Sequence, residues 1–172
     1  LQGFSTCFEE TDWPGGTVKQ DVSAFFVYGT LKQAQLRGSM WPRPPKQIRK
    51  AIVQANLFDL GPYPAAHHGS NWLMGEAWLF ESDDMPVTIE VLDRIEGFEA
   101  LGKNNEYLRE TISVHCGDGD PKQELMAYIY LIASPKRLEI ARLIPPFLHF
   151  LDRQVACWPD PHSRVPANFA EE

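Results

Sequence analysis

An α+β fold, built on a small, mixed and strongly curved β-sheet or β-barrel with flanking helices, is the class this sequence predicts. Three observations point there. The elements run strand, short helix, two strands, helix, two strands, helix. Two of the strands are joined by Gly117-Asp118-Gly119-Asp120-Pro121, a strong turn signal that makes them an antiparallel hairpin. One helix between strand pairs cannot cover both faces of a doubly wound sheet, so a curved sheet or barrel is the better solution. The 172 residues suffice for one domain with a sizeable core.

Taken in order, residues 1–22 contain Trp13-Pro14-Gly15-Gly16 and little periodicity, and read as an irregular arm. The domain proper is expected over residues 23–133. Its first element is the continuous apolar run at 24–28, ending Phe25-Phe26-Val27-Tyr28, which fits an interior strand. It stops at Gly29-Thr30-Leu31, a tight backbone loop. The polar stretch Lys32 to Ser39 is expected to form a short helix, and Pro42 to Pro45 a connector. Alternation from Lys50 to Leu60 predicts a strand, ended by Gly61-Pro62-Tyr63-Pro64 because proline removes donors and fixes φ. Met74 to Phe80 is the next strand.

From Asp83 to Ile95, apolar residues at Val87, Val91, Leu92 and Ile95 follow a helical period. Asp83 or Asp84 can serve as N-cap, Pro86 suits the first turn and Gly97 supplies the stop. Glu96 therefore sits at the helix exit. Tyr107 to Cys116 and Glu124 to Ile132 form the hairpin. Ser134-Pro135 is expected to begin a C-terminal helix reaching about Arg153, interrupted at Pro145-Pro146, with a tail from Trp158. Residues 134–172 are read as packing on the same domain.

A hydrophobic fraction of 44% with 23% charged residues is ordinary for a globular protein. The net charge of −7 argues against nucleic acid or an acidic membrane as partner, since no dense basic stripe offsets it. Arg43, Lys46, Arg49 and Lys50 form the one local basic cluster and read as a solvated segment. Cys7, Cys116 and Cys157 are too few and too dispersed for a disulfide framework, which favours a reducing, cytoplasmic setting. No apolar stretch is long enough to span a bilayer. There is no Gly-x-Ser-x-Gly elbow, phosphate-binding loop or His-Glu-x-x-His, and His67-His68 read as loop surface and not as metal ligands.

Five short motifs then fall in a telling order: Val27-Tyr28-Gly29-Thr30-Leu31-Lys32, Leu57 to Ala65, Gly75-Glu76-Ala77-Trp78, Leu92-Asp93-Arg94-Ile95-Glu96-Gly97 and Tyr107-Leu108-Arg109. In this order the chain resembles the γ-glutamylcyclotransferase-like proteins, which include γ-glutamylamine cyclotransferases and the AIG2-like proteins of plants. The resemblance covers roughly residues 25 to 131. It implies a small mixed β-barrel with the active site at its mouth and no metal or cofactor. A backbone loop, Tyr28 through Leu31, would hold a γ-glutamyl head group, and Glu96 would be the general acid/base. The substrate it implies is a small γ-glutamyl amine or peptide, cyclised to 5-oxoproline with release of the amine.

These residue types suit that reaction on physical grounds. In a γ-glutamyl amide the attacking α-amine and the γ-carbonyl belong to one molecule, so the enzyme mainly folds the substrate into its attacking pose and needs no nucleophile. One carboxylate can take the amine's proton and return it to the leaving nitrogen, provided apolar neighbours such as Leu92, Ile95 and Phe98 raise its pKa. Gly29 lets the main chain approach a ligand, leaving the amides of Gly29, Thr30 and Leu31 to face either the α-carboxylate or the oxyanion. Tyr107 and Tyr128 are candidate pocket-lining residues, with core packing as the alternative for them and for Tyr28. Glu76 can equally face solvent. The rim for the leaving group is expected from Pro62 to Leu73 and the C-terminal helix, with Arg94 or Lys103 available to an acidic leaving group. A catalytically silent metabolite-binding module on the same fold is the alternative function. Monomer and homodimer both stay open, the C-terminal segment being able to cover the pocket or to build a contact through Trp158 and Phe169.

Overall fold

The structure is a computed structural model that describes residues 21–117 and 124–159. Its elements are β1 (Ala24–Val27), β2 (Gln47–Asp59), β3 (Pro64–Leu79), α1 (Met85–Glu96), β4 (Tyr107–Cys116), β5 (Glu124–Ile132), β6 (Arg142–Ile144), β7 (Leu148–Phe150) and β8 (Arg153–Ala156), with 3₁₀ turns at Ser82–Asp84 and Pro135–Leu138. The arm expected over residues 1–22 lies, but for its last two residues, outside the described part, as do most of the turn after Gly117, the tail from residue 160 and Phe169.

Five strands close on themselves. β1 pairs antiparallel with β3 (Phe25↔Trp78), β3 with β2, β2 with β4 (Ala51↔Cys116) and β4 with β5 (Tyr107↔Ile132), and β5 returns to β1 in parallel (Phe25↔Tyr128). This is the mixed barrel the sequence predicts. β6 extends the barrel from β2, and the β7–β8 hairpin adds through β8, parallel to β3.

The closed sheet divides the apolar residues into two layers. Phe26, Tyr28, Val53, Leu57, Leu73, Val114, Ile129 and Leu131 fill the barrel, with alanines where strands come close. Phe25, Val27, Trp78, Phe80, Tyr107, Tyr130 and Ile132 point outward and are covered by Met85 and Leu92 of α1 and by Leu31. β1 is buried on both faces, which is why its run carries no polar residue.

α1 matches the sequence at both ends. Pro86 lies in its first turn, and Met85, Thr88 and Leu92 are its buried face. Asp84 occupies the N-cap position without capping through its side chain, which pairs instead with Arg43 at 3.2 Å. Gly97 is left-handed (φ 63°), and the amides of Gly97 and Phe98 donate to the carbonyls of Arg94 (3.4 Å) and Asp93 (2.8 Å). That is a Schellman ending, and Phe98 folds back onto the outer layer as such motifs require.

Four expectations are corrected. Lys32 to Ser39 forms no helix. It is a chain of turns (Lys32 N–H to Gly29 O, Gln35 to Lys32, Gly38 to Gln35) pinned by tertiary bonds. The second long strand begins at Pro64, not Met74, because proline is tolerated as a first strand residue. His67-His68 thus lie in a strand, not a loop, with His68 Nε2 2.9 Å from Glu110. The C-terminal helix is absent: after one 3₁₀ turn the chain forms β6, β7 and β8. Pro145-Pro146 removes two amide donors and biases Ile144 to extended backbone, favouring strands over a continued helix. Trp158, considered for a dimer contact, packs against the barrel's interior layer.

Candidate active site

A cavity of about 210 Å³ opens where β1 ends. Its walls are the loop Tyr28 to Leu31, the first residues of β3 with the turn before it (Tyr63, Pro64), the end of α1 (Ile95, Glu96), the start of β4 (Glu106, Tyr107), Tyr130 of β5 and Arg37. Segments distant in sequence meet here because β1 is hydrogen-bonded on both sides, to β3 and to β5.

The loop is held in place by groups behind it. Gln33 N–H donates to Glu76 Oε2, as does the indole of Trp78, each at 2.9 Å. Glu76, readable from sequence as a solvent-facing residue, is therefore an anchor. The Trp41 indole N–H donates to the Leu31 carbonyl at 3.0 Å, its ring stacked 4.4 Å from Trp78. Lys32 Nζ donates to the Trp158 carbonyl. Arg37 N–H donates to Thr30 O at 2.8 Å, folding the loop's return over its start.

Among the described residues, the amides of Gly29, Thr30 and Leu31 have no acceptor within the protein. Three successive unpaired N–H groups on a cavity wall are an anion-binding arrangement. Gly29 is needed there for space: a Cβ would stand 2.9 Å from Cγ of Pro64.

Two phenols brace the cavity. Tyr28 O–H donates to the Tyr130 carbonyl (2.7 Å) and accepts from Ala66 N–H (3.1 Å), while Tyr107 O–H donates to Pro64 O (3.2 Å). Burial first, then neighbouring acidic groups, pushes both hydroxyls well above their usual pKa. They remain neutral at any ordinary pH.

Glu96 is different. Its backbone is the last helical residue of α1, and among the described residues its carboxyl has neither hydrogen bond nor ion pair. Burial raises its pKa to about 7, with the positive charge of Arg37 lowering it and the negative charge of Glu106 raising it. The unpaired carbonyls at a helix C-terminus act in the same direction as burial. Glu106 is held at the rim by Arg137 (3.0 Å), whose guanidinium also donates to the Tyr63 hydroxyl at 3.0 Å. A carboxyl poised near neutrality beside preorganised donors has the properties of a general acid/base. Among the described residues no three His, Cys, Asp or Glu side chains converge as metal ligands, and no helix is long and apolar enough to cross a membrane.

Of the residues the sequence singles out, Tyr28, Gly29, Thr30, Leu31, Glu96 and Tyr107 all line this cavity. Tyr128 does not. Its ring packs on Phe25 (centroids 5.5 Å apart) with the Arg109 guanidinium 5.1 Å from its centroid, outside the lining. Its neighbour on the same face, Tyr130, takes the place in the wall, with its hydroxyl donating to Asp93 Oδ1 at 2.7 Å and Asp93 paired with Arg109. Period-two spacing puts both tyrosines on one face, so strand alternation is the signal that could have found Tyr130. Arg37 and Glu106 were missed, Tyr63 falls in the Pro62 to Leu73 segment expected to form the rim, and Arg94, considered for the mouth, pairs instead with Glu90 on the exposed side of α1.

Comparison with known proteins bears on the fold and the family. The sequence profile described as "Gamma-glutamyl cyclotransferase, AIG2-like" matches residues 25–145. No curated protein matches the chain. Among solved structures, an AIG2-like protein from Mus musculus aligns with 18% identity and a TM-score of 0.50 over 76% of this chain and 86% of that one. A solution structure of an Arabidopsis thaliana protein aligns with 24% identity and a TM-score of 0.50, covering 69% and 76%. The chain also matches Bacillus subtilis YkqA at 21% identity and a TM-score of 0.49, over 64% of its own length but only 36% of YkqA. At these identities the two structures with a TM-score of 0.50 speak for the fold alone, and the profile, matching well over half of the sequence, speaks for the family. The chain belongs to the γ-glutamyl cyclotransferase, AIG2-like family.

Proposed function

We propose that the protein cyclises a γ-glutamyl amide to 5-oxoproline and releases the free amine. The observation that carries this reading is the unpaired Glu96 carboxyl, raised to about 7, lining the same cavity as the loop with its three unpaired amides. Glu96 takes a proton from the α-amine, whose nitrogen forms the new bond to the γ-carbonyl carbon. The tetrahedral intermediate then expels the amine, the old carbon–nitrogen bond breaking as Glu96 returns the proton to the leaving nitrogen. The carboxylate is regenerated and no other reactant is needed.

Both tyrosine hydroxyls are committed to backbone carbonyls and stay neutral, so they shape the cavity and leave proton transfer to Glu96. The loop amides hold negative charge of the substrate. Loss of one such donor typically lowers the rate by about 10²–10³ where it serves an oxyanion.

The test is direct detection of 5-oxoproline after incubation with a panel of γ-glutamyl amines and γ-glutamyl dipeptides, with Glu96→Gln in parallel. Release by the native protein and loss of at least a hundredfold in the variant is expected. Release by both would remove Glu96 from the chemistry, and release by neither would favour a silent binding module.

A further inference from the structure

Arg37 is a cation whose guanidinium touches no anion directly, Glu96 acting on it only through its field. Its side chain is half-buried and lines the cavity, yet among the described residues its guanidinium makes no hydrogen bond or ion pair. The nearby cations are engaged: Arg137 with Glu106 and Tyr63, Lys32 with the Trp158 carbonyl, Arg94 with Glu90. The backbone of Arg37 is fixed over the loop, its own amide donating to Thr30 O. A guanidinium held partly out of water and unpaired is unfavourable until an anion arrives, and its planar fork matches a carboxylate.

We propose that Arg37 sets specificity for the leaving group by binding a carboxylate on the departing amine. On this reading, which rests on the cyclotransferase function, γ-glutamyl amino acids are preferred over γ-glutamyl amines of the same shape that lack a carboxylate. Two observations assign Arg37 to the leaving group and not to the head group. The three loop amides at the end of β1 already offer an anion site for the head group. Arg37 lies on the loop's outer return beside Leu36, which is 72% exposed. At about 210 Å³ the cavity is smaller than the roughly 300–1,000 Å³ typical of pockets that enclose larger ligands. A head group therefore fills it, and the leaving group projects to the rim. Arg37 is also close enough to influence Glu96, the group that must reach the leaving nitrogen.

The test reads binding, because the two leaving amines compared differ in basicity. Calorimetry on the Glu96→Gln protein compares γ-glutamyl-alanine with γ-glutamyl-alaninamide, which differ in that one carboxylate. The acid is expected to bind on the order of tenfold or more tighter, the worth of a charge-assisted pair. Adding Arg37→Gln should bring the ratio near one, and Arg37→Lys should leave it between. Equal binding of acid and amide, while the native protein releases 5-oxoproline from both, would overturn the assignment of Arg37 alone. Equal weakening of both ligands by Arg37→Gln would overturn it too, placing Arg37 on the head group. Absence of binding together with absence of 5-oxoproline would overturn the cyclotransferase reading and this inference with it.

Discussion

Glu96 carries a cost in stability whose sign follows from its pKa. The folded protein holds this carboxyl's proton up to about pH 7, while the unfolded chain releases it near the ordinary glutamate value of 4.5. Stability from this group is therefore full below the unfolded value and is lost as pH rises through about 7. Converted at 1.36 kcal/mol per pKa unit, the loss is at most about 3 kcal/mol. Glu96→Gln keeps the shape without the charge. It is expected to melt above the native protein at about pH 8, with the gap shrinking toward about pH 4. A gap of the same size at both pH values would remove the buried-charge account. Glu96 was legible in the sequence through its position before Gly97 and the family pattern around it. Arg37 was not, since in the sequence it is one charge in a polar stretch and only the bond from its amide to Thr30 brings it over the cavity. Tyr128 and Tyr130 share a face and both rings lie against Phe25, yet only Tyr130 reaches the cavity, and nothing in a strand's alternation distinguishes the two.

Elements were readable where local chemistry and burial agree. α1 has an apolar period, a proline at its start and a glycine at its end, and it begins and stops where those residues dictate. The β4–β5 hairpin carries its own turn residues. The last third of the chain misleads because its apolar residues suggest a helix, while its strands are stabilised by partners far away in sequence. The β7–β8 hairpin shows why no turn was visible. Its two-residue loop is Leu151-Asp152, both left-handed (φ 49° and 57°), where Asn-Gly would be the recognisable choice. Leucine in that conformation is strained by about 1–2 kcal/mol. Replacing the pair by Asn-Gly is therefore expected to stabilise the protein by about 1 kcal/mol, read as a higher urea midpoint with an unchanged slope. A lower midpoint would mean that Leu151 contributes packing worth more than its strain.

At the scale of the molecule, a curved mixed sheet or barrel was predicted from the element order and the barrel itself from the family resemblance, yet its extra strands were not, and they belong to the core. Ile144 of β6 is fully buried in the interior layer. Ile144→Ala is expected to cost about 2–5 kcal/mol, as deletions in packed cores do, measured by equilibrium unfolding. A loss below about 0.5 kcal/mol, the range of surface substitutions, would show that β6 is peripheral. Closure of the barrel also fixes an order of events. β1 is among the first described residues, but its two neighbours are β3 and β5, and Phe25 pairs with Tyr128 across most of the domain. Such long-range pairing must overcome loop-closure entropy before it gains anything, which makes folding slow, on the order of milliseconds to seconds. During synthesis the loop after β1 leaves the ribosome early and stays unplaced until β5 follows. The loop with the three unpaired amides is thus among the first parts of the domain to be translated and among the last to take its place.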